Sequence, residues 1–146
     1  YFSLSAKAEK ELELGKYLPP TYIRTLMDIE LQDLSNKWDK ENIDNLIHEA
    51  PREVVLRGSK AKKSLVKDII QAANQCATTK SQSVKLNAIE KIKEELDFEI
   101  NRLKYLKQIN NLISNREIEY LEQKKNLLVD IVASATIGLD SIRAIL

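Results

Sequence analysis

The sequence predicts a mainly α fold with a small N-terminal β element, an α+β arrangement that closes in a long antiparallel helical hairpin packed with one or two further helices. Three observations carry this. Charged residues fill 31% of the 146 positions, aromatics only 5%, and there are three glycines and three prolines, a balance that suits long helices with solvated faces. The opening stretch alternates apolar and polar residues with period two. The last third repeats apolar residues at heptad spacing, in two series separated by a short polar connection. The division falls near Ser35: a β-rich segment over 1–35, then a helical domain over 36–146 with the hairpin at about 84–146.

"YFSLSAKA" reads as a strand. Because the chain opens on Tyr1-Phe2 with no methionine, and this strand has no partner before it, the chain reads as a piece of a longer protein. "LELGKYLPP" turns at Gly15 and at Pro19-Pro20, and "TYIRTLMDIEL" alternates enough for a second strand. Two or three strands alone are marginal in water, so these must lean on the helices. Asp39 is placed to cap a short helix running to about Glu49, with Trp38 and Ile43 as its hydrophobic staple. Pro51 suits the first position of the next helix, whose apolar face is Leu65, Val66, Ile69, Ile70, Ala73, Cys76 and Ala77. Gly58 predicts a kink near its start, and "TTKSQS", residues 78–83, a break or bend.

In the hairpin, Ile89, Ile92, Leu96, Leu103 and Leu106 hold heptad positions broken only at Glu99. Ile118, Leu121, Leu128, Val132, Ala135, Leu139, Ile142 and Leu146 form the second series, broken only at Lys125. Ser114 and Glu117 spell the S-x-x-E capping box of the second helix, with Ile113 and Ile118 as its staple. So short a connection forces the helices antiparallel. Setting Leu106 against Ile118 places Leu96 against Leu128 and Ile92 against Val132. It also places Glu99 against Lys125, which predicts an ion pair that fixes register rather than adding much stability. "GLDSIRAIL" then continues the helix to a buried apolar end, with Asp140 and Arg143 as an i,i+3 pair and Gly138 at a close backbone approach.

The chemistry-bearing residues are few. A net charge of +1 argues against nucleic-acid or membrane binding by the domain as a whole, and no run approaches the roughly 18 apolar residues of a membrane span. The lone Cys76 excludes an intramolecular disulfide, and with no leader-like opening the cytoplasm is the expected compartment. Phosphate-loop, H-E-x-x-H, G-x-S-x-G and G-x-G-x-x-G patterns are all absent. His48, beside Glu49, reads as a surface group near a helix end. Cys76 reads as a small hydrophobe, and the carboxylates of "KIKEELDFEI" as a solvated face paired with lysines. No catalytic, cofactor-binding or metal-ligating residue is assigned. The run "RGSKAKKSLVK" collects Arg57, Lys60, Lys62, Lys63 and Lys67 without an acid between them, either a contact for a polyanion or an acidic partner, or a solvated face. Without interleaved aromatics the solvated face is preferred.

"LELGKYLPPTYIR", residues 12–24, resembles the L-x-L-x-[KR]-[FY]-L-P-x-T-x-[IV]-R segment near the C-terminal part of the RapA (HepA) family of bacterial RNA polymerase-associated, helicase-like ATPases. "EELDFEINRLKYLKQINN" is similar to that family's penultimate helix, and the closing "NREIEYLEQKKNLLVDIVASATIGLDSIRAIL" to its last. The resemblance spans nearly the whole chain in the same order, and its most specific elements are Tyr17, Leu18, Pro19, Thr21, Arg24, Leu139, Asp140 and Arg143. Tyr22 stands where family members often have proline, and residues 57–83 match only loosely. The resemblance implies a C-terminal accessory domain, with 1–35 as the end of a preceding spacer region. The parent would be a cytoplasmic bacterial DNA-binding ATPase that binds the RNA polymerase core and promotes its recycling in transcription. ATP and magnesium would sit in two RecA-like lobes upstream, so this region is expected to be non-catalytic and free of cofactor. Its expected partners are polymerase and other domains of the same chain; nucleic acid is not indicated and a membrane is not implied. The alternative is an independent helical coiled-coil interaction or scaffold module, which leaves the strand-turn match unexplained.

Overall fold

The computed structural model describes residues 1–46, 53, 63–110, 112 and 114–143. In chain order these form β1 (Phe2–Ser5), a 3-10 turn (Lys10–Leu12), α1 (Leu14–Tyr17), β2 (Thr21–Ile23), α2 (Lys40–Leu46), α3 (Lys63–Ile109), α4 (Asn115–Ala133) and β3 (Thr136–Leu139). The class is the expected one, mainly helical with a small antiparallel sheet, and the strand order is β2-β1-β3. The chain forms two compact units, one of residues 1–3, 22–80 and 137–146, the other of residues 4–21 and 81–136.

In the first unit Phe2 of β1 and Ile23 of β2 are buried against Ala77 of α3, with Ala73 and Ile137 packed around them. Ala77 has no accessible surface; its single methyl leaves room for the larger side chains of the strands to fill the space at interior density. The second strand stops at Ile23, well short of the expected "TYIRTLMDIEL". The carboxylate of Asp28 accepts hydrogen bonds from the backbone N–H groups of Glu30, at 3.0 Å, and Gln32, at 2.8 Å, and Leu31 takes a left-handed φ of 63°. This Asx-type turn outcompetes strand pairing, and only the isolated bridge between Met27 and Asp33 remains. Asp39 caps α2 as expected, accepting from the Asn42 N–H at 2.8 Å. The sequence-predicted end of that helix near Glu49, the start at Pro51, the kink at Gly58 and His48 all lie outside the described residues.

α3 corrects the expected break at residues 78–83, because it runs unbroken for 47 residues. The hydroxyls of Thr78 and Thr79 donate to the carbonyls of Asn74 and Gln75, four residues back. Bonded in this way they are satisfied inside the helix and need no turn. The buried positions of its second half are Ala88, Ile92, Leu96 and Ile100, successive steps of four along one ridge.

α4 returns antiparallel in the second unit: Lys107 meets Asn115, Lys104 meets Glu122 at 2.7 Å, Asp97 meets Lys125 at 2.6 Å, and the Lys85 ammonium reaches the carbonyl of Ala133 at 3.1 Å. Ser114 is the N-cap, its hydroxyl accepting from the Arg116 N–H at 3.1 Å. The sequence-predicted staple partner Ile113 is outside the described residues. The Glu99–Lys125 pair is not formed. Lys125 pairs with Asp97, and Glu99 with Arg102 on its own helix at 2.5 Å. The i,i+4 ridge brings Ile100 rather than Glu99 inward, since an α-helix advances 3.6 rather than 3.5 residues per turn, and burial of an isoleucine avoids the desolvation that a buried ion pair incurs.

The largest departure is the chain end. α4 stops at Ala133, Ser134 caps it, and residues 136–139 form β3 against β1 instead of another helical turn. Thr136, Ile137 and Gly138 are poor helix formers, and the edge of β1 offers unpaired backbone groups. The arrangement is pinned where the Asp140 N–H donates to the Tyr1 carbonyl at 3.0 Å and the Tyr1 amine to the Ser141 carbonyl at 2.8 Å. Leu139 and Ile142 are therefore exposed rather than in a seam, and Leu146 lies outside the described residues. Arg143 reaches Asp44 at 3.5 Å instead of Asp140. A Cβ on Gly138 would meet only the Ser3 hydroxyl at 3.9 Å, an ordinary contact, so no close approach requires that glycine. Nor does the chain turn left-handed at Gly15; that conformation falls on Glu13, with φ 53°.

The packing at Ala77 leads to a direct test. Ala77→Leu overfills the contact with Phe2 and Ile23 and is expected to lower unfolding stability by about 1–3 kcal/mol. Leu86→Ala, at an exposed position of the same helix, should change it by less than about 0.5 kcal/mol. Urea unfolding followed by far-UV circular dichroism compares the two; equal effects would contradict the packing.

Candidate contact surfaces

Lysines of α3 donate to the backbone of α1 and of the loop after β2. In the second unit Lys16 of α1 forms an ion pair with Glu95, and Lys91 donates to the Lys16 carbonyl at 3.2 Å. Tyr17 and Leu18 are buried beside this pair, with the Lys16 ammonium 5.3 Å from the Tyr17 ring centre, within cation–π range. Burial pushes the Tyr17 hydroxyl up from its ordinary value. The hydrogen bond with Glu95 raises the Lys16 ammonium and lowers the Glu95 carboxyl, so the pair stays ionised at neutral pH. Pro19 is exposed, and its carbonyl accepts from the Thr21 hydroxyl at 2.8 Å.

In the first unit the guanidinium of Arg24 donates to the Trp38 carbonyl at 2.9 Å, and the Arg24 carbonyl accepts from Lys80 at 3.2 Å. Lys80 also meets Asp33 at 2.6 Å. The Asp33 carboxylate accepts in addition from the Ser35 hydroxyl at 2.5 Å and the Ser35 N–H at 3.0 Å. Partial burial alone would raise the Asp33 carboxyl; the bonds from Lys80 and Ser35 outweigh it and hold its pKa at about 2. The hub leaves little trace in the sequence, because a lysine among helical polar residues looks like any solvated one; the D-x-S spacing of Asp33 and Ser35 is its local signal.

The residues that carry the family resemblance fall in both units, Tyr17, Leu18, Pro19 and Thr21 in the second and Arg24, Leu139, Asp140 and Arg143 in the first. The hydrogen bonds and ion pair of Thr21, Arg24, Asp140 and Arg143 are with this chain's own backbone and side chains. Of the basic run, Arg57, Lys60, Lys62 and the side chain of Lys63 lie outside the described residues, and Lys67 is exposed on α3. Cys76 is partly rather than fully buried. Among the described residues no group of histidine, cysteine and carboxylate side chains is placed to hold a metal ion, and no helix is long and apolar enough to cross a membrane.

A second surface was missed in the sequence although its signal was there. Phe98 and Tyr105, seven residues apart, and Ile109 four further on fall on the outward phase of α3, and Leu112 follows beyond its end. In the structure this is the exposed turn end of the hairpin.

The RNA polymerase recycling family C-terminal model matches residues 1–146, the whole chain. The chain belongs to this family. Relatives named RNA polymerase-associated protein RapA include those of Vibrio campbellii, 31% identical over 147 residues, and Vibrio parahaemolyticus, 31% identical over 147 residues. That of Vibrio vulnificus is 27% identical over 144 residues. Each alignment covers 99% of this chain and 15% of the relative, so the chain spans about one-seventh of the length of these RapA relatives. The match from the first residue to the last sets aside an unrelated coiled coil that resembles the RapA family only in its heptads.

The Asp33 hub makes the domain's stability depend on pH. A carboxyl held below its unfolded value contributes fully above pH about 4 and loses that contribution as the pH falls toward 2, here about 2 kcal/mol. Asp33→Asn is expected to reduce stability at pH 7 and to flatten its decline between pH 4 and 2, as read by urea unfolding across that range. An unchanged slope would show that the hub is not formed.

Proposed function

We propose that this region is the non-catalytic part of a longer RapA-like protein that contacts the RNA polymerase core and supports its recycling, while ATP hydrolysis takes place elsewhere in the parent chain. The end-to-end match to the recycling family carries the reading, together with relatives named as RNA polymerase-associated. The ATP and magnesium that the family implies would be held outside these 146 residues, since the sequence contains no phosphate loop and only three glycines from which to build one. A polymerase partner sets the compartment as the bacterial cytoplasm.

Removing the 146 residues from the full-length protein is the test. Polymerase binding and stimulation of multiple-round transcription should fall together, while ATP hydrolysis by the remainder persists. Unchanged polymerase binding would place the contact elsewhere, and loss of the hydrolytic step itself would contradict a non-catalytic role.

A further inference from the structure

The pairing of β1 with β3 extends past the last residue of β3. The Tyr1 carbonyl accepts from two successive N–H groups, that of Asp140 at 3.0 Å and that of Ser141 at 3.4 Å, while the Tyr1 nitrogen donates to the Ser141 carbonyl at 2.8 Å. Two residues of one strand thus stand against one of the other, the pattern of a β-bulge, an extra residue inserted into a ladder that otherwise pairs regularly. On one side of it lies the sheet, where a Cβ on Gly138 would meet the Ser3 hydroxyl at 3.9 Å, so that these two residues stand opposite one another. On the other side Ile142 and Arg143 follow, alongside the path by which a chain enters at Tyr1.

The Tyr1–Ser141 pair sets the register there. Ile142 falls opposite the residue immediately before Tyr1, and Arg143 opposite the one before that. Side chains alternate along a strand, and residues opposite one another share a face. The residue before Tyr1 therefore shares the face of Phe2, and Ile142 shares it too. With Ser3 opposite Gly138, Phe2 falls opposite Leu139, which puts Leu139 on the same face. Phe2 is buried there with Ile23 and Ala77, yet Leu139 and Ile142 are 49% and 59% exposed. These two apolar side chains flank the line along which β1 would be extended.

We propose that in the longer protein β1 begins at least two residues before Tyr1, pairs with Ile142 and Arg143, and carries next to Tyr1 an apolar side chain that covers Leu139 and Ile142. The occupant of this edge is the chain's own preceding segment rather than a second molecule. The family model that matches is a C-terminal one, and the chain covers 15% of its RapA relatives, so the rest of such a protein reaches this region through Tyr1. In that chain the Tyr1 nitrogen is an amide N–H, which donates to Ser141 as the amine does. The proposal rests on the reading that the region is part of a longer RapA-like protein. It adds how the region is joined: entry strand and closing strand lie in one sheet, and backbone hydrogen bonds rather than a loose tether fix the connection.

The test uses the full-length protein with Cys76 and any other cysteine replaced by serine, a cysteine placed immediately before Tyr1, and Ile142→Cys. Opposite residues next to a hydrogen-bonded pair have Cα atoms about 4.5 Å apart, within the span of a disulfide. Under mild oxidation this pair should link within one chain at least about tenfold faster than the same upstream cysteine with Ile29→Cys, at an exposed site of the same unit. Residue-resolved hydrogen exchange on the unsubstituted protein gives a second reading. The Arg143 N–H, directed at β1, should exchange at least about tenfold more slowly than the Ile142 N–H, directed away from it. No preference for Ile142→Cys over Ile29→Cys, or an Arg143 N–H that exchanges as fast as that of Ile142, overturns the proposal. A link between two molecules in place of one within a chain assigns the edge to a second copy and also overturns it. Where removal of the 146 residues weakens polymerase binding, any of these failures leaves the polymerase reading standing. If that removal leaves binding unchanged while the link forms, the proposal holds and the polymerase reading fails.

Discussion

The buried side chains that α3 supplies to each unit are the constraint on which the rest depends. The strands are three or four residues long, far too short to be stable unsupported, and a helix of about 70 Å has no core of its own. What both require is buried side chains to pack against, and those of α3 are small in the first unit and larger in the second. Ala77, Ser81 and Ala88 are followed by Ile92, Leu96 and Ile100. Where they are small, Phe2 and Ile23 bring their own bulk. Where they are large, the helix is itself the source of apolar area, each such side chain contributing on the order of 2 kcal/mol when fully buried.

Lysines complete what these side chains begin. Lys80, Lys85 and Lys91 each donate to a main-chain carbonyl, of Arg24, Ala133 and Lys16 respectively. A carbonyl at the end of α4 is one of the acceptors that a helix leaves without an internal partner, and a cation there also meets the negative end of the helix dipole. The surface ion pairs around them contribute little individually. Their effect is in placing backbone: the segment from Leu14 to Thr21 and the loop from Arg24 to Ser35 are held by bonds that no hydrophobic pattern encodes.

This explains what could be read from the sequence and what could not. Helix content, the Asp39 and Ser114 caps and the antiparallel return were legible, because periodicity and capping are local. The outcome at residues 78–83 was not, since threonine hydroxyls serve a turn or an unbroken helix equally until the tertiary context is known. Glu99 and Ile100 differ by a single position, so a heptad template and the real 3.6-residue period pick different residues as the seam lengthens. The end of the chain misled for a related reason. Leu139, Ile142 and Leu146 continue a heptad on paper, but the pairing edge of β1 lies more than a hundred residues away in sequence and leaves no local trace. The exposed apolar residues of α3 appear in the sequence only as a repeat with the wrong phase for the core.

Amide hydrogen exchange along α3 tests its continuity most directly. If α3 is one continuous helix, amides from Asn74 to Ile100 should exchange as a single protected stretch, with no faster window at residues 78–83. Rapid exchange confined to those six residues would mean two helices meeting at a joint, and would contradict the account.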